Sequence, residues 1–263
     1  EESFPCDPSF GHREKLREFE WPLPAAVATK VPRNKWNLPA ARAALDKEWM
    51  KLKEHPYPNK KGKGVWDESR VREAREVREE AKKKGEVVHF GRICELLFVK
   101  NAELPENDPK RVYKGRDVFL GDNVRDQDFN YAIFDEMTSS PAAVEAARAL
   151  DALSAFTCYS QEQSDATSAY TQAFLRGPPT WVSLPRERWP KSWNGKYENP
   201  VVPLVLNLYG HPNAGSFWEE ACEKHVTECG FQKIEGWRSV FWHPGKRALL
   251  IIYVDDFQTG GSN

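Results

Sequence analysis

The chain lacks the features that mark zinc-binding, secreted and membrane-spanning proteins. Its five cysteines are scattered and form no C-x-x-C pair or Cys/His cluster, which argues against zinc and fits a reducing, intracellular compartment. No segment is long and apolar enough to cross a bilayer, so no membrane partner is expected. The first residues, Glu-Glu-Ser-Phe-Pro-Cys, lack the basic and apolar regions of a signal peptide.

Net charge is also nearly absent, at −1 for 263 residues, so overall charge does not indicate a nucleic-acid-binding protein. The charge is unevenly distributed, because residues 30–63 contain ten Lys or Arg and only three acids. That stretch either contacts phosphates or is a solvated basic face. A hydrophobic content of 40% and ten Trp predict a folded domain. Because residue 1 is not Met, we expect a fragment or a processed product.

Hydrophobic periodicity predicts an α+β protein, with helices and a hairpin first and then strands alternating with helices. The predicted helices cover residues 39–54, 67 or 69 to 84, 141–158, 166–175 and 213–229. The predicted strands cover 86–100 and 111–121, which form a hairpin, then 160–165, 181–184, 201–208, 237–243 and 248–254. Residues 1–39 are rich in proline and are predicted to form an irregular arm.

The most informative residues are Tyr253-Val254-Asp255-Asp256, which follow the apolar run 248–252. The pattern predicts a buried strand that ends in two carboxylates, although an Asp-Asp pair alone is more often a turn. Unpaired buried charge is costly, and two carboxylates at a strand tip suit a divalent metal that keeps open positions for phosphate. If the strand ending at Asp165 lies beside this tip, the three acids hold two Mg²⁺ ions, with Asp255 as the direct ligand and Asp256 in support.

Several ordered stretches resemble the reverse transcriptase of copia-type retrotransposons. Tyr253-Val254-Asp255-Asp256 resembles its YVDD box, and residues 163–170 (QSDATSAY) resemble its first catalytic motif, Q-x-D-x-x-x-A-[FY]. Residues 208–218 (LYGHPNAGSFW) resemble its L-Y-G-L-K-Q-A-P-R-x-W box, and 114–121 (KGRDVFLG) resemble its K-A-R-L-V-A-K-G stretch. Residues 181–185 (WVSLP) stand where the family has V-Y-M-x-x-P, and the resemblance covers roughly residues 40–259.

The resemblance implies a right-hand fold, with a fingers-like region at 40–140 and a palm-like catalytic region at 141–263, truncated after YVDD. It implies an RNA-directed DNA polymerase that binds an RNA template, a DNA primer and dNTP. The remaining polyprotein modules (thumb, RNase H and integrase) are its implied partners and lie outside this chain. A cytoplasmic particle or the nucleus is the implied location.

The resemblance also assigns residue roles. Asp165, Asp255 and Asp256 would be the catalytic metal ligands for two Mg²⁺ ions, or for Mn²⁺, and the Ala166 backbone carbonyl would contribute to the metal site. Four further residues would bind substrate: Lys114 and Arg116 the triphosphate, Tyr170 the deoxyribose as a steric gate, and Asn213 the incoming nucleotide. Without the resemblance, Tyr170 is equally a core aromatic, and Lys114 and Arg116 are equally exposed strand charges.

Departures from the family pattern keep two other functions open. Asn213 replaces the family's Gln, and Asp117 replaces a Leu. Pro212, Gly215 and Ser216 replace Lys, Pro and Arg, which removes two positive charges. The first alternative is therefore an inactive retroelement remnant that binds nucleic acid. The second, a metal-dependent nuclease or other phosphotransferase, accounts for the acids but not for the other boxes.

Overall fold

Two β-sheets and four α-helices make up the part of the chain that the computed structural model describes, residues 27–134, 142–156 and 158–262. In chain order the strands are β1 (Ala28–Lys30), β2 (Arg72–Glu73), β3 (His89–Lys100), β4 (Val112–Phe119), β5 (Tyr159–Asp165), β6 (Thr180–Ser183), β7 (Pro200–Pro203), β8 (Gln232–Lys233), β9 (Val240–His243), β10 (Ala248–Tyr253) and β11 (Asp256–Ser262). The helices are α1 (Pro39–Lys53), α2 (Ala74–Lys84), α3 (Val144–Ser154) and α4 (Ala214–Glu228). The predicted α+β class is confirmed.

The first sheet has the order β1-β3-β6-β7-β2, and β4 also pairs with β3. The β3–β4 pair is the predicted hairpin, in register from Ile93 opposite Phe119 to Lys100 opposite Val112. β6 runs parallel to β3, whereas its pairing with β7 is antiparallel. Strands from both sides of residue 140 therefore share one sheet.

The second sheet has the order β5-β11-β10-β9-β8, and all of its pairs are antiparallel. Its central strand β10 is buried on both faces, which explains its continuous apolar run. Leu250 and Ile252 pack with Trp218 of α4, whereas Ile251 packs with Leu150 of α3. Strand β5 lies at the edge, and its residues from 160 to 165 are exposed.

The helices follow their sequence signals closely. α1 begins with Pro39 at its first position, where the missing N–H costs nothing, and it buries Leu45, Trp49 and Leu52. α2 ends at Gly85, whose φ of 66° is the left-handed conformation that glycine favours. None of the helices in the described ranges combines the length and the apolar content that crossing a bilayer requires.

Three predictions about elements need correction. The helix predicted over 166–175 is a single 3-10 turn (Ala169–Gln172), because Ser168 has a left-handed φ of 57° and the chain is extended again at Ala173. The helix predicted from residue 67 or 69 begins at Ala74, because Arg72 and Glu73 pair with β7. Asp67 accepts from the backbone N–H of Ser69 and caps a separate 3-10 turn (Glu68–Arg70).

The third correction concerns strand order. We predicted that the strand ending at Asp165 lies beside the strand ending at the two acids, but β11 lies between β5 and β10. Two other predictions reach beyond the described residues: most of the proline-rich arm (1–26) and the start of the helix predicted at 141.

Candidate catalytic and metal site

The candidate site lies at the tip of the β10–β11 hairpin. Tyr253 pairs with Asp256, so Val254 and Asp255 form a two-residue turn. Val254 has a φ of 59°, which is a strained conformation for a β-branched residue. Strain of this kind, about 1–3 kcal/mol, persists only where the surrounding structure holds the backbone in place.

Two backbone carbonyls of this turn accept hydrogen bonds from outside the hairpin. The indole N–H of Trp218 on α4 donates to the Val254 carbonyl at 2.6 Å. The backbone N–H of Ala166 donates to the Asp255 carbonyl at 2.7 Å. The turn is therefore fixed both to α4 and to the residue that follows Asp165.

Asp165 and Asp256 are directly opposite each other in the pairing of β5 with β11. Side chains at such positions have Cβ atoms about 4.5–5.5 Å apart, and like charges placed there repel. Both residues are exposed, and Asp255 is half-buried in the adjoining turn. Two of the predicted acids thus face each other at one water-accessible edge, where a cation would relieve their repulsion, and the third lies in the adjoining turn.

The chemistry of these donors fits Mg²⁺, which prefers carboxylate oxygens. Within the described ranges, no three acidic, His or Cys side chains are already gathered into a metal-binding group. Mg²⁺ in phosphate-transferring sites is usually bound by one or two carboxylates together with substrate phosphates and water. A facing pair with a third acid nearby is compatible with that mode of binding.

Two tyrosines and an arginine lie beside the acids. The rings of Tyr170 and Tyr209 are 4.5 Å apart between centroids, and the Arg116 guanidinium lies 5.6 Å from the Tyr209 ring. Burial raises the pKa of Tyr170, and the charge of Asp255 raises it further. Burial likewise raises the pKa of Tyr209; Arg116 opposes this shift, whereas Asp255 and Asp165 reinforce it.

Arg116 reaches this position through the end of β4. The backbone N–H of Phe119 donates to the Tyr209 carbonyl at 2.7 Å, which attaches β4 of the first sheet to the segment preceding α4. Gly210 is required beside this contact, because a Cβ there would lie 2.1 Å from the Phe119 carbonyl oxygen. The structure therefore brings Arg116 of the first sheet to Tyr209, whose pKa Asp255 and Asp165 of the second sheet also affect.

The remaining predicted substrate-binding residues are Lys114 and Asn213. Lys114 lies two residues before Arg116 on β4, and its pKa is lowered by burial first and then by Arg116 and Lys100. Asn213 is the N-cap residue of α4 without a side-chain capping bond, and its backbone N–H donates to His211. No hydrogen bond in the described structure joins Lys114 or Asn213 to the three acids.

Sequence reasoning gave no role to Tyr209 or Trp218. Both lie in the stretch 208–218 that carries part of the resemblance, and this position was the only signal in the sequence that could have indicated a role for them. Their roles depend on contacts with Tyr170 and Val254, which are distant in sequence and become apparent only in the fold.

No protein-family model matches this chain, and no curated protein matches it either.

Proposed function

We propose that this chain is the fingers and palm portion of a copia-type RNA-directed DNA polymerase, which adds dNTP to a primer 3′ end on an RNA template. The observation that carries the proposal is the position of Asp165 opposite Asp256, beside Asp255, at an exposed strand tip. Residues from three of the motifs described above lie at or near this tip, namely Asp165 and Tyr170, Tyr209 and Trp218, and residues 253–256.

Each neighbouring residue has a role in this proposal. Asp165, Asp255 and Asp256 hold the metal, with the Ala166 backbone beside them. These carboxylates would hold a pair of Mg²⁺ ions, which would lower the pKa of the attacking hydroxyl and neutralise the departing pyrophosphate. Arg116 stabilises the triphosphate charge, in the manner of basic clamps in phosphoryl transfer.

Tyr170 and Tyr209 complete the proposed nucleotide site. Tyr170 packs against the buried cluster around Trp218, and its ring also contacts the ring of Tyr209. These two contacts hold the Tyr170 ring in place. A ring fixed in this way is suited to reject a 2′-hydroxyl. Tyr209 would keep Tyr170 and Arg116 in a fixed relation, because it contacts both.

A catalytically inactive remnant that binds nucleic acid is the second candidate. One observation favours it: Ser216 stands where the family has Arg, and it is buried with its hydroxyl donating to the Asn213 carbonyl. This position therefore supplies no cation to an incoming nucleotide.

Primer extension on an RNA template tests the proposal. The full chain should incorporate dNTP with Mg²⁺ and not with EDTA, at low salt so that weak duplex binding is not limiting. Asp165→Asn, Asp255→Asn and Asp256→Asn should each lower the rate about a hundredfold or more, the scale on which one preorganised electrostatic partner acts. Asp151→Asn, at an exposed position of α3, is the matched control.

Two results would decide against polymerase activity. One is an Asp255→Asn variant as active as Asp151→Asn, which would remove the acids from the mechanism. The other is a wild-type chain that binds RNA without incorporating dNTP, which would support the inactive remnant.

A further inference from the structure

A wide groove crosses the first sheet, apart from the carboxylates. Its volume is about 1360 Å³, and its lining includes none of Asp165, Asp255 or Asp256. Residues from the segment before α1, from α2, from β3 and from the loops after β4 and β6 meet there. Among the residues that the structure describes, eight Lys or Arg line it against four Glu and no Asp, an excess of four positive charges.

The acids that line the groove leave several of these cations without a partner. Three of the four Glu are engaged, since Glu95 binds Arg188, Glu79 pairs with Arg75, and Glu73 accepts from the backbone N–H groups of residues 198 and 199. In the part of the chain that the structure describes, Arg33, Arg92 and Arg186 form no ion pair, and all three are exposed. A ligand with repeated negative charges would complement them.

Aromatic rings accompany two of these three arginines and also Arg78. Arg33 lies over Trp36 and Arg186 over Trp189, at 5.1 Å and 5.4 Å from the ring centroids. Arg78 lies between the rings of Phe90 and Phe129, at 3.7 Å and 4.0 Å. Phe129 is 64% exposed although it is a large apolar side chain at the groove.

We propose that this groove binds single-stranded nucleic acid, with Arg33, Arg92 and Arg186 contacting phosphates and Phe129 stacking on a base. Alternating cations and aromatic faces suit a single strand, whose bases are free to stack, better than a duplex, whose bases are already stacked. The identification of that strand as the unpaired template rests on the proposed function. Binding to the groove itself does not require catalysis.

Fluorescence anisotropy with the full chain tests this proposal. The probes are a labelled single-stranded oligouridylate, the matching oligothymidylate and a duplex of equal length, all in EDTA without nucleotide. The triple variant Arg33→Gln, Arg92→Gln, Arg186→Gln should bind either single strand at least about tenfold more weakly. Three lost phosphate contacts should also make the slope of log K against log salt less steep by about 2.

The control removes the same charge from exposed positions outside the groove: Arg148→Gln, Lys224→Gln and Lys246→Gln. It should bind like the wild-type chain. Phe129→Ala is a second test that removes no charge and only a largely exposed ring, together with its contact to Arg78, and it should weaken single-strand binding about tenfold without changing the salt slope. Circular dichroism and the thermal midpoint show whether each variant is folded.

Several outcomes would overturn the inference. They are equal binding by the two triple variants, duplex binding as tight as single-strand binding, or unchanged binding in Phe129→Ala. Asp255→Asn should bind the single strands as tightly as the wild-type chain does. A loss of binding in this variant as large as that in the groove triple variant would place the ligand at the carboxylates instead. Loss of dNTP incorporation with intact groove binding would contradict the polymerase proposal alone.

Discussion

Asp117 is an acid in the interior of the first sheet. It is 2% exposed, neither carboxyl oxygen has a hydrogen-bond partner in the described structure, and Glu95 lies directly opposite on β3. Burial, followed by the charges of Glu95 and Glu48, raises the pKa of Asp117 to about 8. The group therefore keeps its proton at neutral pH in the folded chain, and it loses that proton in the unfolded chain.

Asp117→Leu is expected to stabilise the fold, and the gain should depend on pH. The folded pKa lies above the unfolded value of 3.8, so the wild-type free energy of unfolding falls as pH rises between about 4 and about 8. The slope from this group is at most about 1.4 kcal/mol per pH unit. Urea unfolding across this range should show the gain growing with pH and becoming constant above about 8.

Asp151→Leu on the exposed side of α3 is the control for replacing a carboxylate with an alkyl group. The change that this control makes in the free energy of unfolding should not grow over the same pH range. A loss of stability in Asp117→Leu, or a gain independent of pH, would contradict the account of a strained buried acid. The same substitution restores the residue that the resembling family has at this position, so primer extension should be retained.

At the scale of elements, the turn between β10 and β11 depends on Trp218. Its indole N–H donates to the carbonyl of Val254, whose backbone φ of 59° is one that valine does not favour. Trp218 itself is 6% exposed. Trp218→Phe keeps most of the packing and removes this bond. We expect a loss of about 1 kcal/mol in unfolding free energy, the usual net value of such a bond.

The same variant should also lose primer-extension activity, by about tenfold, because Asp255 occupies the released turn. Trp181→Phe is the matched control, since Trp181 is equally buried on β6 and its indole N–H forms no hydrogen bond with any residue that the structure describes. Urea unfolding and initial rates are measured for both variants. Equal activity of the two would mean that the Trp218 bond does not position the turn.

Elements with strong local signals were predictable from the sequence. Helix α1, the β3–β4 hairpin, β5 and the β9–β10 hairpin are confirmed because their apolar periodicity and their turn residues agree with the fold. Strand β11 was not predicted. Its residues 260 and 261 are glycines, which are weak strand formers, and it is a strand only because β10 and β5 pair with it on both sides.

Contacts between distant segments were beyond sequence reasoning. The proximity of Asp165 to Asp256 was expected from two strands that end in acids and from the resemblance, but strand β11, which lies between those two strands, was not foreseen. The groove is the clearest example of a feature that the sequence did not predict. Of its eight described cations, Arg33 and Arg42 come from the basic stretch 30–63. The other six are spread from residue 75 to residue 186. Local charge density did not identify this surface, because folding gathers the cations.

In the molecule as a whole, we propose separate roles for the two sheets. The second sheet carries the acids, and the first carries the groove and delivers Arg116 through the contact of Phe119 with Tyr209. A further contact links the segment after α1 to the 3-10 turn after β5, where the Thr171 hydroxyl lies 2.7 Å from the His55 ring nitrogen. Nucleic-acid binding and metal binding should therefore be separable by mutation.

We propose that Asp165, Asp255 and Asp256 bind the same metal. Iron-mediated backbone cleavage tests it most directly, because Fe²⁺ in a Mg²⁺ site generates hydroxyl radicals that cut the nearest chain segments. With Fe²⁺ and ascorbate, mass spectrometry of the full chain should locate cuts both beside residue 165 and beside residues 254–256. Excess Mg²⁺ should suppress both cuts, Asp165→Asn combined with Asp256→Asn should abolish them, and Asp151→Asn should not. Cleavage at only one of the two segments, or cuts that Mg²⁺ does not suppress, would contradict a shared site.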